Sequence, residues 1–221
     1  DAYTAKITMA YAGQAASGAR SVTIHAKVGD TDYRETIYIT NKKGENFFLN
    51  KDDNTKKVPL PGFTTINDIC LVATGAPLCD QLAEDKLVKI WDKDERKEVP
   101  KSVPVLIDLL DKEVGLGILN SLADVNEKVG NDYVPTGKTR NENNIEKVYD
   151  LGTRMTVVEA VNGMESGVFM DAWVERNKGQ VRDKTSKAGG QGAKNGKPGS
   201  NTPPQAGNKP ATKSLFGNKA S

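Results

Sequence analysis

Arg34, Tyr38, Lys42 and Lys43 fall close together in YRETIYITNKKGENFF (residues 33–48), and Phe47 lies near its end. An aromatic ring flanked by cations is the composition of a surface that stacks nucleobases and neutralises phosphates. If Ile37 and Ile39 face a core, the strand period of two puts Arg34, Thr36, Tyr38 and Thr40 on the outer face. An ordinary hairpin fits the same residues equally well, with Tyr38 as a cross-strand partner and the lysines solubilising a turn. Phe47 and Phe48 point to opposite faces of an extended chain. At most one can join such a platform, and the other belongs to a core. The pattern recurs in KLVKIWD (86–92): with Val88 and Ile90 inward, Lys89 and Trp91 form a second pair outside. Tyr133 near Lys138 and Arg140 makes a third.

Catalytic chemistry has less to stand on. His25 is the one histidine of the chain and sits mid-strand among apolar neighbours, which reads as structural or solvated rather than as a general base. VPTGKTR (134–140) is a fragment of a phosphate loop. The full motif needs a glycine where Asp132 stands, and the strand–loop–helix setting is missing. A polar loop fits it, with Lys138 or Arg140 as single phosphate contacts. Cys70 and Cys79 with one histidine do not make a four-ligand zinc site; two reduced thiols are expected. No calcium-loop spacing and no nucleophile elbow is present. An enzyme is the weaker reading, and no cofactor or metal is expected.

The elements that must position these residues are mostly strands. Val22, Ile24, Ala26 and Val28 alternate along 20–28, and GDTD turns the chain into a second strand over 33–40. Further strands are expected at 86–92, 103–110 and 114–125, with a charged loop, KDERKEVPK, between the first two. Gly115 and Gly117 permit a bend or bulge in the last. The segment 144–150 reads as a final strand or a helical turn. Thr65 followed by Asp68 resembles a capping box, so a helix is expected over 66–74, burying Ile66, Ile69, Cys70 and Ala73 and stopping at Gly75. TVVEAV, capped by Thr156, forms a short helix. Another covers about 165–177, with Phe169 and Trp173 on one face and Gly179 ending it. Five to six hairpin-linked strands with short helices predict a mainly β domain over residues 1–178. A small oligonucleotide-binding-type barrel fits, and so does a β-sandwich. With only five or six strands read, the clearest helix follows the second strand, whereas that barrel class has it between the third and fourth.

Charge divides the 221 residues unevenly. Residues 178–221 hold nine Lys/Arg against Asp183, a net of +8, and the remaining 22 bases and 28 acids leave the body at −6. Residues 179–221 are rich in Gly, Pro, Asn and Lys and nearly free of apolar side chains, so a disordered basic tail is expected. Leu215 and Phe216 in its SLFG tip are an isolated apolar pair, either a neutral chain end or a short docking motif for a polymerase, a helicase, RNA polymerase or a neighbouring subunit. No apolar run suits a membrane helix, and DAYTAKITMAYAG has no basic stretch leading into an apolar one, so neither a span nor a secretory signal is expected.

Five phrases in order carry a resemblance: YITNKKGENFF, LPGFTTINDICLV, KEVPKSVPVLIDLL, YVPTGKTRNENNIEKVY and the terminal KSLFG. Together they resemble single-stranded DNA-binding proteins of tailed bacteriophages, roughly from Ser21 to Lys178 and again at the tip. The resemblance implies an oligonucleotide-binding fold without enzymatic activity. It further implies single-stranded DNA as partner, work in phage DNA replication, recombination or transcription, and residence in the cytoplasm of the infected bacterial host. Many replication-type single-strand binders end in an acidic tail, and this tail is basic. The competing expectation is a phage accessory or structural protein that docks a protein partner through the tail.

Overall fold

The computed structural model describes residues 1–92, 95–130 and 132–186. The basic segment from Lys187 onward, with Leu215 and Phe216, lies outside the described residues. Among those described, the chain runs β1 (Ala2–Gln14), β2 (Arg20–Val28), β3 (Thr31–Tyr38), β4 (Phe47–Leu49), β5 (Lys57–Pro59), α1 (Pro61–Thr74), β6 (Ala83–Asp92) and β7 (Lys97–Leu106). It continues with β8 (Glu113–Val129), β9 (Asp132–Tyr149), α2 (Val157–Val161), α3 (Phe169–Asn177) and β10 (Val181–Asp183). The protein is mainly β, with ten strands in place of the expected five to six.

β1, β2 and β3 form an antiparallel meander, and β8 pairs with the N-terminal half of β1. β9 pairs along the outer edge of β8, while β10 runs parallel to β8 beyond the start of β1. The path β9–β8–β1–β2–β3 curls around α1. Ile66, Ile69 and Cys70 of α1 are buried among Ile7, Val22, Ile24, Ile37, Leu116 and Ile145, which come from all five strands. Burying such a set is the main stabilising term, at roughly 25 cal/mol per Å² of apolar surface.

The expected small barrel, closed or partly closed, is not closed by backbone pairing, because β3 and β9 share no ladder. Side chains bridge the gap instead. Glu35 on β3 accepts the Ile145 backbone N–H (2.8 Å), the Asn144 side-chain amide (3.2 Å) and the Tyr33 hydroxyl (2.7 Å). The Tyr33 hydroxyl also reaches the Asn143 carbonyl at 3.0 Å. Burial, then the nearby Glu35 carboxylate, push the Tyr33 phenol well above its ordinary range, so it stays a donor.

Several expectations shift. β1 answers to none of the expected strands; with it, α1 follows the third strand of the main sheet rather than the second, and the separate β4–β5 hairpin lies between. The β1 bulge between Ile7 and Met9 reverses the parity of the apolar residues, which defeats a simple alternation. The second expected strand starts two residues earlier, and the third and fourth become a hairpin that takes in much of the charged loop. VPTGKTR is not a loop but part of β9, facing residues 123–127 across the β8–β9 arm. Gly117–Ile118 marks a register shift, as the glycines suggested. The Thr65/Asp68 box is not used. Pro61 opens α1, so both residues lie inside the helix, where the Thr65 hydroxyl donates to the Pro61 carbonyl. Gly75 stops α1 in the left-handed conformation, and Val72 rather than Ala73 is buried. Thr156 caps α2 with Glu159 in a full capping box. Cys70 is buried and Cys79 exposed.

Removing the Glu35 carboxylate strands the Ile145 N–H at the seam. Glu35→Ala should cost about 2–4 kcal/mol in denaturant unfolding, and Glu35→Gln less, because the amide still accepts. A loss under about 0.5 kcal/mol for Glu35→Ala would show that the two edges hold together without it. Asp68 gives a second test. Burial pushes its carboxyl up to about 7, against a smaller opposite pull from Lys147. An unfolded Asp ionises near pH 4, roughly, so the wild type should lose stability as pH rises from there to about 7. Asp68→Asn should therefore gain roughly 1–3 kcal/mol relative to wild type at pH 8 and little at pH 4. An equal difference at both pH values would mean a solvated carboxyl.

Candidate nucleic-acid interface

The outer face of the β1–β2–β3 meander is built in rows by the strand register. Gly13, Ser21 and Tyr38 form one row, Tyr11, Thr23 and Thr36 the next, and Met9, His25 and Arg34 the third. The first row explains why the Tyr38 ring is 54% exposed. Its cross-strand neighbours are Ser21, which is small and itself buried, and beyond it Gly13, which has no side chain. The Tyr38 backbone is fixed from behind: a Cβ on Gly62, in the first turn of α1, would lie 2.2 Å from the Tyr38 carbonyl oxygen. In the second row the Thr23 and Thr36 hydroxyls hydrogen-bond at 2.9 Å. In the third, Arg34 is exposed and donates to the Tyr11 hydroxyl at 3.2 Å. It has no acidic partner among the described residues.

Lys42 and Lys43 lie in a turn just past β3. The Asn41 side chain accepts the backbone N–H groups of Lys43 (2.8 Å) and Glu45 (3.0 Å), which fixes the turn while both lysine side chains stay exposed. The β1–β2 turn packs against it, since a Cβ on Gly18 would lie 3.1 Å from the Lys42 carbonyl. Arg20, which the sequence does not single out, lies exposed at this end of the meander, with the parity of Val22 and Ile24 rather than that of Ser21. Its carbonyl accepts the Ile39 and Thr40 N–H groups, and its own N–H donates to the Thr40 hydroxyl. Its position beside Lys42 follows from the pairing of strands, which local spacing does not reveal.

Phe47 does not offer an open ring. It is half-buried opposite Pro59, and the Lys57 ammonium sits 4.4 Å from its centroid. Phe48, on the other face, is 45% exposed, so the expected core phenylalanine does not exist in this hairpin. Lys89 and Trp91 face outward from the β6–β7 arm, as expected, with Leu87 beside them. Val88 of that arm packs with Tyr11 and Val105, which anchors the arm to the outer face of β1. Tyr133 stands 71% exposed opposite Lys128, and Lys138 is exposed on the same strand. Arg140 is engaged by Glu142 at 2.6 Å and is the least available of these cations.

The structure thus places Arg34 and Tyr38 on one face with His25 and Tyr11, and Lys42, Lys43 and Arg20 at the end of the meander nearest Tyr38. It leaves Lys89–Trp91 and Tyr133–Lys138–Arg140 on two separate arms. The three groups share no hydrogen bond or ring contact among the described residues. His25 is half-buried, its ring 5.8 Å from that of Tyr11. Burial, and next the charge of Arg34, hold its pKa below the usual 6.5. Among the described residues no group of three or more His, Cys, Asp or Glu could hold a metal ion. Comparison with known proteins finds no matching family model, no matching curated protein and no matching solved structure.

If this face stacks bases, Tyr38→Ala should weaken binding of a fluorescent thymidine oligonucleotide by about 1–3 kcal/mol, and Trp91→Ala should do the same if the arm takes part. Melting temperatures should barely change, because both rings are already half open to solvent. Unchanged affinity together with a lower melting temperature would make the ring a packing residue.

Proposed function

We propose that this protein binds single-stranded DNA without catalysis, through base stacking on Tyr38 and phosphate contacts from Arg20, Arg34, Lys42 and Lys43. The observation that carries the reading is the Gly13–Ser21–Tyr38 row, an exposed ring over small neighbours, ringed by cations that have no acidic partner among the described residues. A base can lie flat there without displacing a protein side chain. The order of elements, with the β4–β5 and β6–β7 hairpins taken as insertions, supports the finer reading of an oligonucleotide-binding barrel: three meander strands, a helix, then β8 and β9, the last of which is bridged to the third by side chains. In that class the second and third strands, the first–second loop and the fourth–fifth loop bind the oligonucleotide. Here those places are the β2–β3 face, the turn before Arg20 and the β8–β9 arm, which carries Tyr133, Lys138 and Arg140.

The resemblance to phage single-stranded DNA-binding proteins gives this activity its setting. We propose a role in phage DNA replication, recombination or transcription in the infected host's cytoplasm. The basic tail adds further phosphate contacts, and Leu215 and Phe216 dock a replication or transcription protein. A body of net charge −6 tolerates such a site, because the four cations are local. Long-range repulsion between the strand and acids elsewhere is screened within about 8–10 Å at physiological salt.

Titration with a thymidine oligonucleotide at several salt concentrations tests the reading. Each neutralised phosphate contributes about −0.7 to the slope of log K against log salt, so four contacts predict a slope near −3, roughly. The tail makes it steeper. Salt-independent binding, or equal affinity for duplex DNA, contradicts the proposal.

A further inference from the structure

We propose, resting on the nucleic-acid reading above, that His25 is a proton-linked member of the interface: a strand phosphate seated on Arg34 draws a solvent proton onto the His25 imidazole, so binding takes up a proton and tightens as pH falls. The geometry points to it in three ways. His25 and Arg34 are direct cross-strand partners on the outer face of β2 and β3. The His25 Nε2 is buried and has no hydrogen-bond partner among the described residues. An unpaired buried ring nitrogen is costly, and such a group commonly has a functional reason to persist. Arg34, finally, has no acidic partner among the described residues, so its charge acts on the imidazole uncancelled until an anion arrives.

The surroundings set the direction. From β3, His25 faces Arg34 and Asp32; from β7, Glu98; from β1, the Tyr11 ring. On its own strand Lys27 follows two residues on and is paired with Asp32 at 2.8 Å. Burial and Arg34 keep the imidazole neutral, and Glu98 and Asp32 pull less strongly the other way. A phosphate on Arg34 cancels the arginine's share and adds a negative charge of its own. The bound imidazole then protonates at a higher pH than the free one. Between the two midpoints the complex holds more protons than its parts, so affinity rises as pH falls through that window and is flat on either side. No bond of the strand is made or broken; the only transfer is a proton from solvent to the ring.

Because His25 is the one histidine in the chain, its ring C–H signals can be followed without ambiguity by NMR in the full-length protein. The experiment titrates pH from 8 to 4.5 with and without a saturating thymidine oligonucleotide. The expected result is a free midpoint below 6.5 that rises on binding, with a matching gain of about 3- to 10-fold in affinity between pH 8 and 5.5; a midpoint that rises by about one on the pH scale corresponds to a tenfold gain. His25→Gln should flatten that gain, and Arg34→Gln should raise the free midpoint and shrink the ligand-induced rise. If the oligonucleotide binds and the His25 midpoint does not move, the linkage is wrong and the binding reading stands. If the pH gain survives in His25→Gln, another group carries it and the assignment to His25 fails. If no oligonucleotide binds at any pH, both readings fall.

Discussion

A sheet that curls around a helix must do something with its two edges. Here a single carboxylate resolves that constraint. Glu35 reaches from β3 to the backbone of β9 and satisfies an N–H that a neighbouring strand would otherwise take. The ladder therefore need not close, and β3 keeps an edge whose twist is not dictated by a strand on both sides. The face opposite the seam depends on this. Glu35 and Ile37 point inward, so Arg34, Thr36 and Tyr38 must point outward, and the same alternation that fixes the seam presents the stacking residue. The helix completes the arrangement: Gly62 allows α1 to press against the Tyr38 backbone, leaving the ring with no freedom to retreat.

Much of this was legible in the sequence where one face of a strand is buried and the other wet. β2 and β3 read correctly, and so did the outward pointing of Tyr38, Lys89 and Trp91, because alternation is strong when a core enforces it. β1 was not legible for two physical reasons. Its bulge flips the parity, and both of its faces are covered, the inner by the core and the outer by Tyr11 packing under the β6–β7 arm. The arms failed in the opposite way. Residues 133–140, and 97–101 apart from Val99, are exposed, so polar residues occur on both faces and the segments look like loops. The capping box misled because local spacing cannot see that Pro61 had already opened the helix.

The candidate site shows the same division. Arg34, Tyr38, Lys42 and Lys43 came from local spacing. Arg20, His25 and Tyr11 are recognised only once register is known, since they reach the site across strands. Phe47 shows the converse: its spacing suggested an open ring, and Lys57, ten residues later across a short hairpin, occupies it. Spacing along the chain therefore indicates which groups are available, whereas register decides which of them meet.

β1 changes neighbours along its length, with β2 on one side from Ala5 onward and first β8, then β7 on the other. That exchange has a consequence for how the chain is made. During synthesis β2 follows within a few residues, so the meander can assemble early. Ala2 must wait for Gly117, and Tyr11 for Val105, before the second edge of β1 is covered. Contacts of such sequence separation slow folding, and an edge that stays open meanwhile is exposed to pairing with other chains. The nascent meander therefore passes through a window in which its central strand is sticky on one side. That window closes only when β8 has left the ribosome.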